Sequence, residues 1–219
     1  MIEKLINDCK DKLYKKFDLD NQTDNYPRRL ARYNHSLKVL DWALKLSDFY
    51  EYADKTKVVY ASIFHDFAKF TSDEHYLEII NKYNLDKSLM NKEYKNVRHA
   101  ILGSYIVKEE LGIVDQEVLD AITFHATGKK NMTLLEKIVF VSDYAETSRV
   151  GEMFEKVRNA SLISLDEAVL IESALSIENI KSRGLEVVGL TIDCYNYYKD
   201  KVKKWHYYKV HVLHYLIWI

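Results

Sequence analysis

A chain of 219 residues with one proline and six glycines has little in it to stop a helix. Proline removes a backbone donor, and glycine costs about 1 kcal/mol in a helix interior, so their scarcity leaves helical periodicity free to run. Alternation of period two is hard to find along the chain. Helix starts are also written in. Thr71-Ser-Asp-Glu74, Thr133-Leu-Leu-Glu136 and Ser164-Leu-Asp-Glu167 have the capping-box form, and Asp54 and Asp115 are N-cap candidates. These signals predict helices at 2–16, 30–50, 55–69, 73–83, 92–111, 115–126, 133–146, 152–160, 165–182 and 186–203. The expectation is an all-α bundle with short connections, whose longest loop is NKYNLDKSLMN, residues 82–92.

The length suits one globular domain with a real core, and no repeat or Pro/Gly/Ser linker divides it. With 32 Lys+Arg against 33 Asp+Glu, no global field recruits nucleic acid or a membrane surface, so any phosphate chemistry must be local. Cys9 and Cys194 are far apart and lack ligand spacing, which points away from a disulfide framework and towards a reducing cytoplasm. The start mixes acids and bases rather than forming a leader, and no apolar run approaches the roughly 20 residues that span a bilayer.

Four of the eight histidines sit beside apolar residues in helical patterns: His35 in RYNHSLKVL, His65 in IFHDFAK, His99 in VRHAILGSYIV and His125 in LDAITFHATG. Any one of them alone reads as a satisfied core histidine. Four together would each need a partner in a dry core, whereas a shared metal centre satisfies them all. Asp66 follows His65 directly, and Asp143 ends the apolar run LLEKIVFVSDY. A carboxylate in such surroundings must be paired, hydrogen-bonded or coordinated. Six N/O donors without cysteine favour iron, manganese or a similar divalent ion over structural zinc, and six suffice for two ions with a carboxylate bridge. Adjacent residues on a helix point about 100° apart, so His65 and Asp66 can grip one centre only if their helix lies against it.

An isolated histidine, then His-Asp, then a distant aspartate on an all-helical chain resembles the HD-domain phosphohydrolase superfamily. RYNHSLKVLDWALKL, ASIFHDFAKF, RHAILGSYIV, LDAITFHATGKKNMTLLEKIVFVSDYAETSR and VRNASLISLDEAV follow in the order seen in its YqeK family, the symmetrical bis(5'-nucleosyl)-tetraphosphatases. The resemblance covers about residues 27–197, within a single HD domain over 1–219 that carries an N-terminal helix (1–26) and an aromatic tail (198–219). It implies a centre of two divalent metal ions, of iron type, that splits diadenosine tetraphosphate into two ADP. His35, His65, Asp66 and Asp143 would hold one ion, and Asp66, His99 and His125 the other, with Asp66 as the bridge.

Lys69, four residues after His65, would present its ammonium to phosphate as a catalytic and substrate-binding group. Arg149, Thr127, the Gly128 backbone and Arg32 are further phosphate candidates, and Tyr144 could line the pocket. Where the family has HTTG, this chain has HATG. Where the family has a stretch like DYIEPxR, this chain has DYAETSR, and loss of the proline removes a helix stop and leaves Arg149 less firmly placed. The tail KWHYYKVHVLHYLIWI could close the bundle, cover the site or mediate a homodimer, and its His206, His211 and His214 lack the acids expected of ligands. Two other readings compete: an HD phosphohydrolase for another nucleotide (a dNTP, an NMP or a guanosine alarmone), and a non-catalytic nucleotide-binding HD module.

Overall fold

The computed structural model describes residues 2–216, with side chains described as far as Lys204. The side chains after Lys204, those of His206, His211 and His214 among them, lie outside the described residues, whereas the start of the tail is described: Tyr198 is fully buried and its hydroxyl accepts the Met132 N–H at 3.0 Å. Eleven α-helices account for the bundle among the described residues: α1 Ile2–Lys16, α2 Tyr26–Phe49, α3 Lys55–Phe64, α4 Asp73–Lys82, α5 Arg98–Ile101, α6 Gly103–Leu111, α7 Gln116–Phe124, α8 Leu134–Ala145, α9 Glu152–Ser161, α10 Leu165–Ser182 and α11 Gly189–Leu216.

Local rules explain most of these boundaries. Thr133 caps α8 in a reciprocal box with Glu136, and Asp54 and Asp115 accept backbone N–H groups at the starts of α3 and α7. Pro27 sits in the first turn of α2, where its missing donor costs nothing, so α2 begins at Tyr26 and not at residue 30. The cap of α4 is Ser72, which accepts from the His75 N–H, and not Thr71. A single helix over 92–111 is not formed either. One short 3₁₀ turn, Lys87–Met90, lies in the expected loop, a second, Lys92–Tyr94, replaces the start of the expected helix before α5, and the chain bends again at Leu102 before α6.

The helix expected over 55–69 stops at Phe64. Phe67 N–H bonds to Phe64 O at 3.0 Å and Lys69 N–H to Asp66 O at 2.8 Å, so residues 65–70 wind more tightly than an α-helix. His65 keeps helical dihedrals (φ -54°, ψ -41°), so it and Asp66 still diverge, and both reach the centre because this turn lies against it, with His65 Nε2 3.5 Å from Asp66 Oδ2.

Helices α2, α3, α7 and α8 pack against one another in the centre, α1 lies along α3, and α9, α10 and α11 form a second layer behind α8. Val39, Val58, Ile63, Ile122, Leu135 and Val139 are among the fully buried residues of this core. No helix among the described residues is long and apolar enough to cross a membrane.

Candidate metal centre

All six donors named from the sequence converge at one end of the central four helices. His35 comes from α2, His65 and Asp66 from the turn after α3, His99 from α5, His125 from the end of α7, and Asp143 from α8. The imidazoles form a chain, with ring centroids 5.4 Å apart for His35–His65, 4.8 Å for His65–His125 and 5.3 Å for His99–His125. His35 Nε2 is 2.8 Å from Asp143 Oδ1. His65 Nε2 is 3.5 Å from Asp66 Oδ2 and 3.9 Å from Asp143 Oδ1. On the other side of Asp66, Oδ1 faces His99 Nε2 at 3.0 Å and His125 Nε2 at 3.6 Å.

The local folding that aims these rings repeats. His65 and His125 each occupy the position just after a helix, and each directs Nδ1 at the carbonyl three residues back: Ser62 O at 2.7 Å and Ile122 O at 2.8 Å. An Nδ1–H donated to a carbonyl leaves the Nε2 lone pair free and fixes where it points. His35 achieves the same through a side chain, since its Nδ1 faces Glu146 Oε1 at 3.3 Å.

Burial sets the charge states. It lowers His65 and brings His99 down to about 4, so both rings stay neutral near pH 7. Burial alone would raise Asp66, but nearby positive charge, the Lys69 ammonium included, outweighs it and holds the carboxyl well below the usual range. Asp143 is held low in the same way by its bond to His35, while His35 is raised because its bonds to Asp143 and Glu146 overcome burial.

Two atoms in this network lack hydrogen-bond partners among the described residues: His65 Nε2 and Asp66 Oδ1, both fully buried. An unpartnered buried polar atom costs about 1–3 kcal/mol, so two of them meeting in one place, surrounded by imidazoles and carboxylates, fit a bound cation. Two triads have donor atoms within coordinating reach of one another, His35–His65–Asp143 and His65–Asp66–His125. The second contains His65 where the sequence reading put His99, and His99 remains beside it through Asp66 Oδ1.

Cations surround the donors. Arg32 Nη1 donates to Asp66 Oδ2 at 2.8 Å, Arg149 Nη2 to Asp143 Oδ1 at 3.2 Å, and Lys69 Nζ lies 3.6 Å from Asp66 Oδ1 and 3.0 Å from His99 Nε2. Arg149 is positioned without the family's proline. Glu146 leaves the helix at ψ 152°, and its carboxylate accepts from Ser148 N–H at 2.6 Å. Arg158 of α9 then donates to the carbonyls of Ala145, Glu146 and Arg149 at 2.8, 3.1 and 2.9 Å, clamping the turn. The guanidinium of Arg149 rests 5.9 Å from the Tyr144 ring and 5.7 Å from Phe154, which is Tyr144's place in the site.

Thr127 and Gly128 are placed differently from the expectation. Thr127 is fully buried and its hydroxyl donates to Gly128 O at 3.0 Å. Gly128 has φ +63°, and a Cβ there would stand 2.5 Å from Cys194 Sγ of α11. This glycine is therefore required by a left-handed turn and a close helix approach. The N–H groups of Thr127 and Gly128 both bond to Phe124 O, at 3.3 and 2.8 Å, and so close the end of α7 that carries His125.

Glu146 and Arg158 were not singled out from the sequence. Glu146 lies within DYAETSR, where an acid three residues after a metal-ligand candidate resembles any solvated helix end. Its burial, with a carboxyl lowered to about 2 as the His35 and Ser148 hydrogen bonds outweigh desolvation, appears only in three dimensions.

A helical bundle carrying histidines and aspartates on inward positions is the architecture of a protein that builds a metal site in its core. The HD domain family model matches residues 32–148, a span that includes all six donors, and the chain belongs to that family. It is 35% identical over 169 residues to the symmetrical bis(5'-nucleosyl)-tetraphosphatase of Staphylococcus aureus, covering 76% of this chain and 86% of the relative. It is 36% identical over 139 residues to the enzyme of the same name from Bacillus subtilis, with 64% and 74% covered. A crystal structure from Clostridium acetobutylicum, described as a "predicted HD superfamily hydrolase involved in NAD metabolism", superposes with a TM-score of 0.73 at 31% identity, over 87% of this chain and 97% of that one.

Proposed function

We propose that this protein hydrolyses diadenosine tetraphosphate symmetrically to two ADP, at a centre of two divalent cations of iron or manganese type. The observation that carries the reading is the convergence of six N/O donors on a pair of buried, unpartnered atoms, His65 Nε2 and Asp66 Oδ1. The names of the Staphylococcus aureus and Bacillus subtilis relatives, which match most of the chain, supply the substrate class.

His35, His65, Asp66 and Asp143 would hold one ion, and Asp66, His99 and His125 the second, with Asp66 contributing an oxygen to each. Bound divalent ions lower the pKa of water to near neutrality and neutralise charge on phosphate oxygens. The protein's own part is positional. Ser62 O, Ile122 O and Glu146 fix which nitrogen of His65, His125 and His35, in that order, is available. Lys69, held between Asp66 and His99, offers a point charge to a phosphate oxygen, and Arg149 offers a fork, steadied by Tyr144 and Phe154. Arg32 adds a third positive group beside Asp66. We take residues 1–219 as one HD unit, with α1 packed on α3, and the buried free thiols Cys9 and Cys194 suit a reducing cytoplasm.

The test is product analysis by HPLC with protein loaded anaerobically with iron or manganese, against diadenosine tetraphosphate, NAD, dNTPs and NMPs. ADP as the sole nucleotide product supports the reading. ATP with AMP, or preference for another member of the panel, overturns it.

A further inference from the structure

Two cavities open beside the histidine cluster and share a wall. The smaller, about 290 Å³, reaches His35 and is lined by Arg28, Arg32, Lys69, Phe70 and Arg149 among others. The larger, about 470 Å³, reaches His99, and its walls include Arg28, Lys69, Tyr76, Lys92, Lys95 and Arg98. Arg28 and Lys69 belong to both. The candidate centre thus lies at the boundary between two hollows, with His35 in one and His99 in the other.

The cations of the larger hollow are of two kinds. Arg98 is 6% exposed and its donors are spent inside the protein, on Leu89 O at 2.9 Å, Met90 O at 2.6 Å and Asp73 Oδ1 at 2.8 Å. It is a strut that ties the two 3₁₀ turns to α5. Lys92 and Lys95, on and just after the second turn, are exposed and form no ion pair among the described residues, and neither does Arg28, which rests 6.0 Å from the Phe70 ring. The one acid lining this hollow, Asp73, is already paired with Arg98. A chain of net charge -1 has therefore placed three uncompensated cations and Lys69 around one cavity, held by a buried arginine. Positive concavities of this kind suit a polyanion.

We infer that the larger cavity receives the second nucleoside diphosphate half of the substrate, the half that departs across Lys69, with Lys92 and Lys95 as its phosphate-binding residues. This rests on the reading that a dinucleoside tetraphosphate is cleaved at its centre. A substrate of two equal halves cut in the middle needs two sites of similar character flanking the metals, and two cationic hollows sharing Arg28 and Lys69 supply them. The 3₁₀ segment that carries the lysines acts as a length gauge, since only a ligand continuing past Lys69 reaches it.

The test compares metal-loaded wild type with K92A/K95A and with K203A/K204A, which removes the same charge from exposed positions on α11. For diadenosine tetraphosphate, KM should rise about tenfold in K92A/K95A with kcat within about twofold, and stay near wild type in K203A/K204A, as expected when uniform binding of a remote group is lost. An unchanged KM in K92A/K95A, or an equal change in both variants, overturns the assignment while leaving central cleavage standing. A wild type inert towards this substrate overturns the reading of the reaction and the assignment with it.

Discussion

The inner wall of the site and its outer rim are built on opposite principles. At the wall, His65 and Asp66 are almost fully buried, and the Nδ1 nitrogens of His65, His125 and His35 are committed to Ser62 O, Ile122 O and Glu146. At the rim, Arg28, Lys92 and Lys95 are exposed and without ion pairs among the described residues. Lys69 stands between, half-buried, touching both Asp66 and His99. Coordination demands lone pairs fixed in advance, because an ion releases its water only to several donors in place together. Phosphate capture needs charges that remain hydrated until the ligand arrives, since a desolvated lysine would lose the attraction it is there to provide.

The largest break in this comparison comes from Asp66→Ala, which removes the carboxylate common to both proposed ions. Metal content, measured on anaerobically purified protein, should fall from about two ions per chain to one or none, and turnover should drop by roughly three orders of magnitude or more. Retention of both ions would mean that Asp66 is a charge partner for Arg32 and not a bridge.

Next is Glu146→Gln, which touches no proposed ion. By weakening the carboxylate that orients His35, it should cut metal affinity about 10- to 100-fold, read by competition with a chelator, with the helical content unchanged. Lys69→Ala should do the converse: both ions kept, and kcat reduced roughly 10- to 100-fold, a loss expected when one charge-stabilising donor is removed. If Lys69→Ala also lost metal, the division between wall and rim would fail at its hinge.

The smallest effect concerns Glu172, 4% exposed on α10, whose carboxyl is raised well above its ordinary 4.5 by burial and by the nearby Asp143. Its folded-state pKa exceeds the unfolded one, so the folded protein holds the proton more tightly, and stability is lost as pH rises above 4.5. Glu172→Gln removes that linkage. Its melting temperature should exceed that of wild type by more at pH 8 than at pH 5, and an equal difference at both would show that Glu172 is not the linked group.

Much of this was legible because it is local. The capping box at Thr133 and Glu136 closed as read, since cap residues answer to neighbours within one turn. At Thr71 the same pattern misled. Ser72 takes the cap, with His75 three residues on, while the Thr71 hydroxyl is buried without a partner among the described residues. The site was legible as an inventory, because ionisable residues in apolar runs need a reason to be there. It was not legible as geometry. The tight turn of 65–70 reads as continuing helix, and the proline missing from DYAETSR reads as a missing stop although Arg158, on the next helix, performs that stop from outside. That Gly128 lies against Cys194 of α11 was equally invisible, since the two are 66 positions apart in the chain.

The helical class and the donor types can be read from the residues alone, because propensity, capping and side-chain chemistry belong to individual residues and short segments. Tertiary structure alone decided that Glu146 is buried against His35, that Arg98 spends its charge as a strut while Lys92 and Lys95 keep theirs, and that two cavities meet at Lys69. Each of those depends on what remote segments bring to a point, and burial, which turns an ordinary charge into a fixed ligand or leaves it free for a substrate, exists only once they have met.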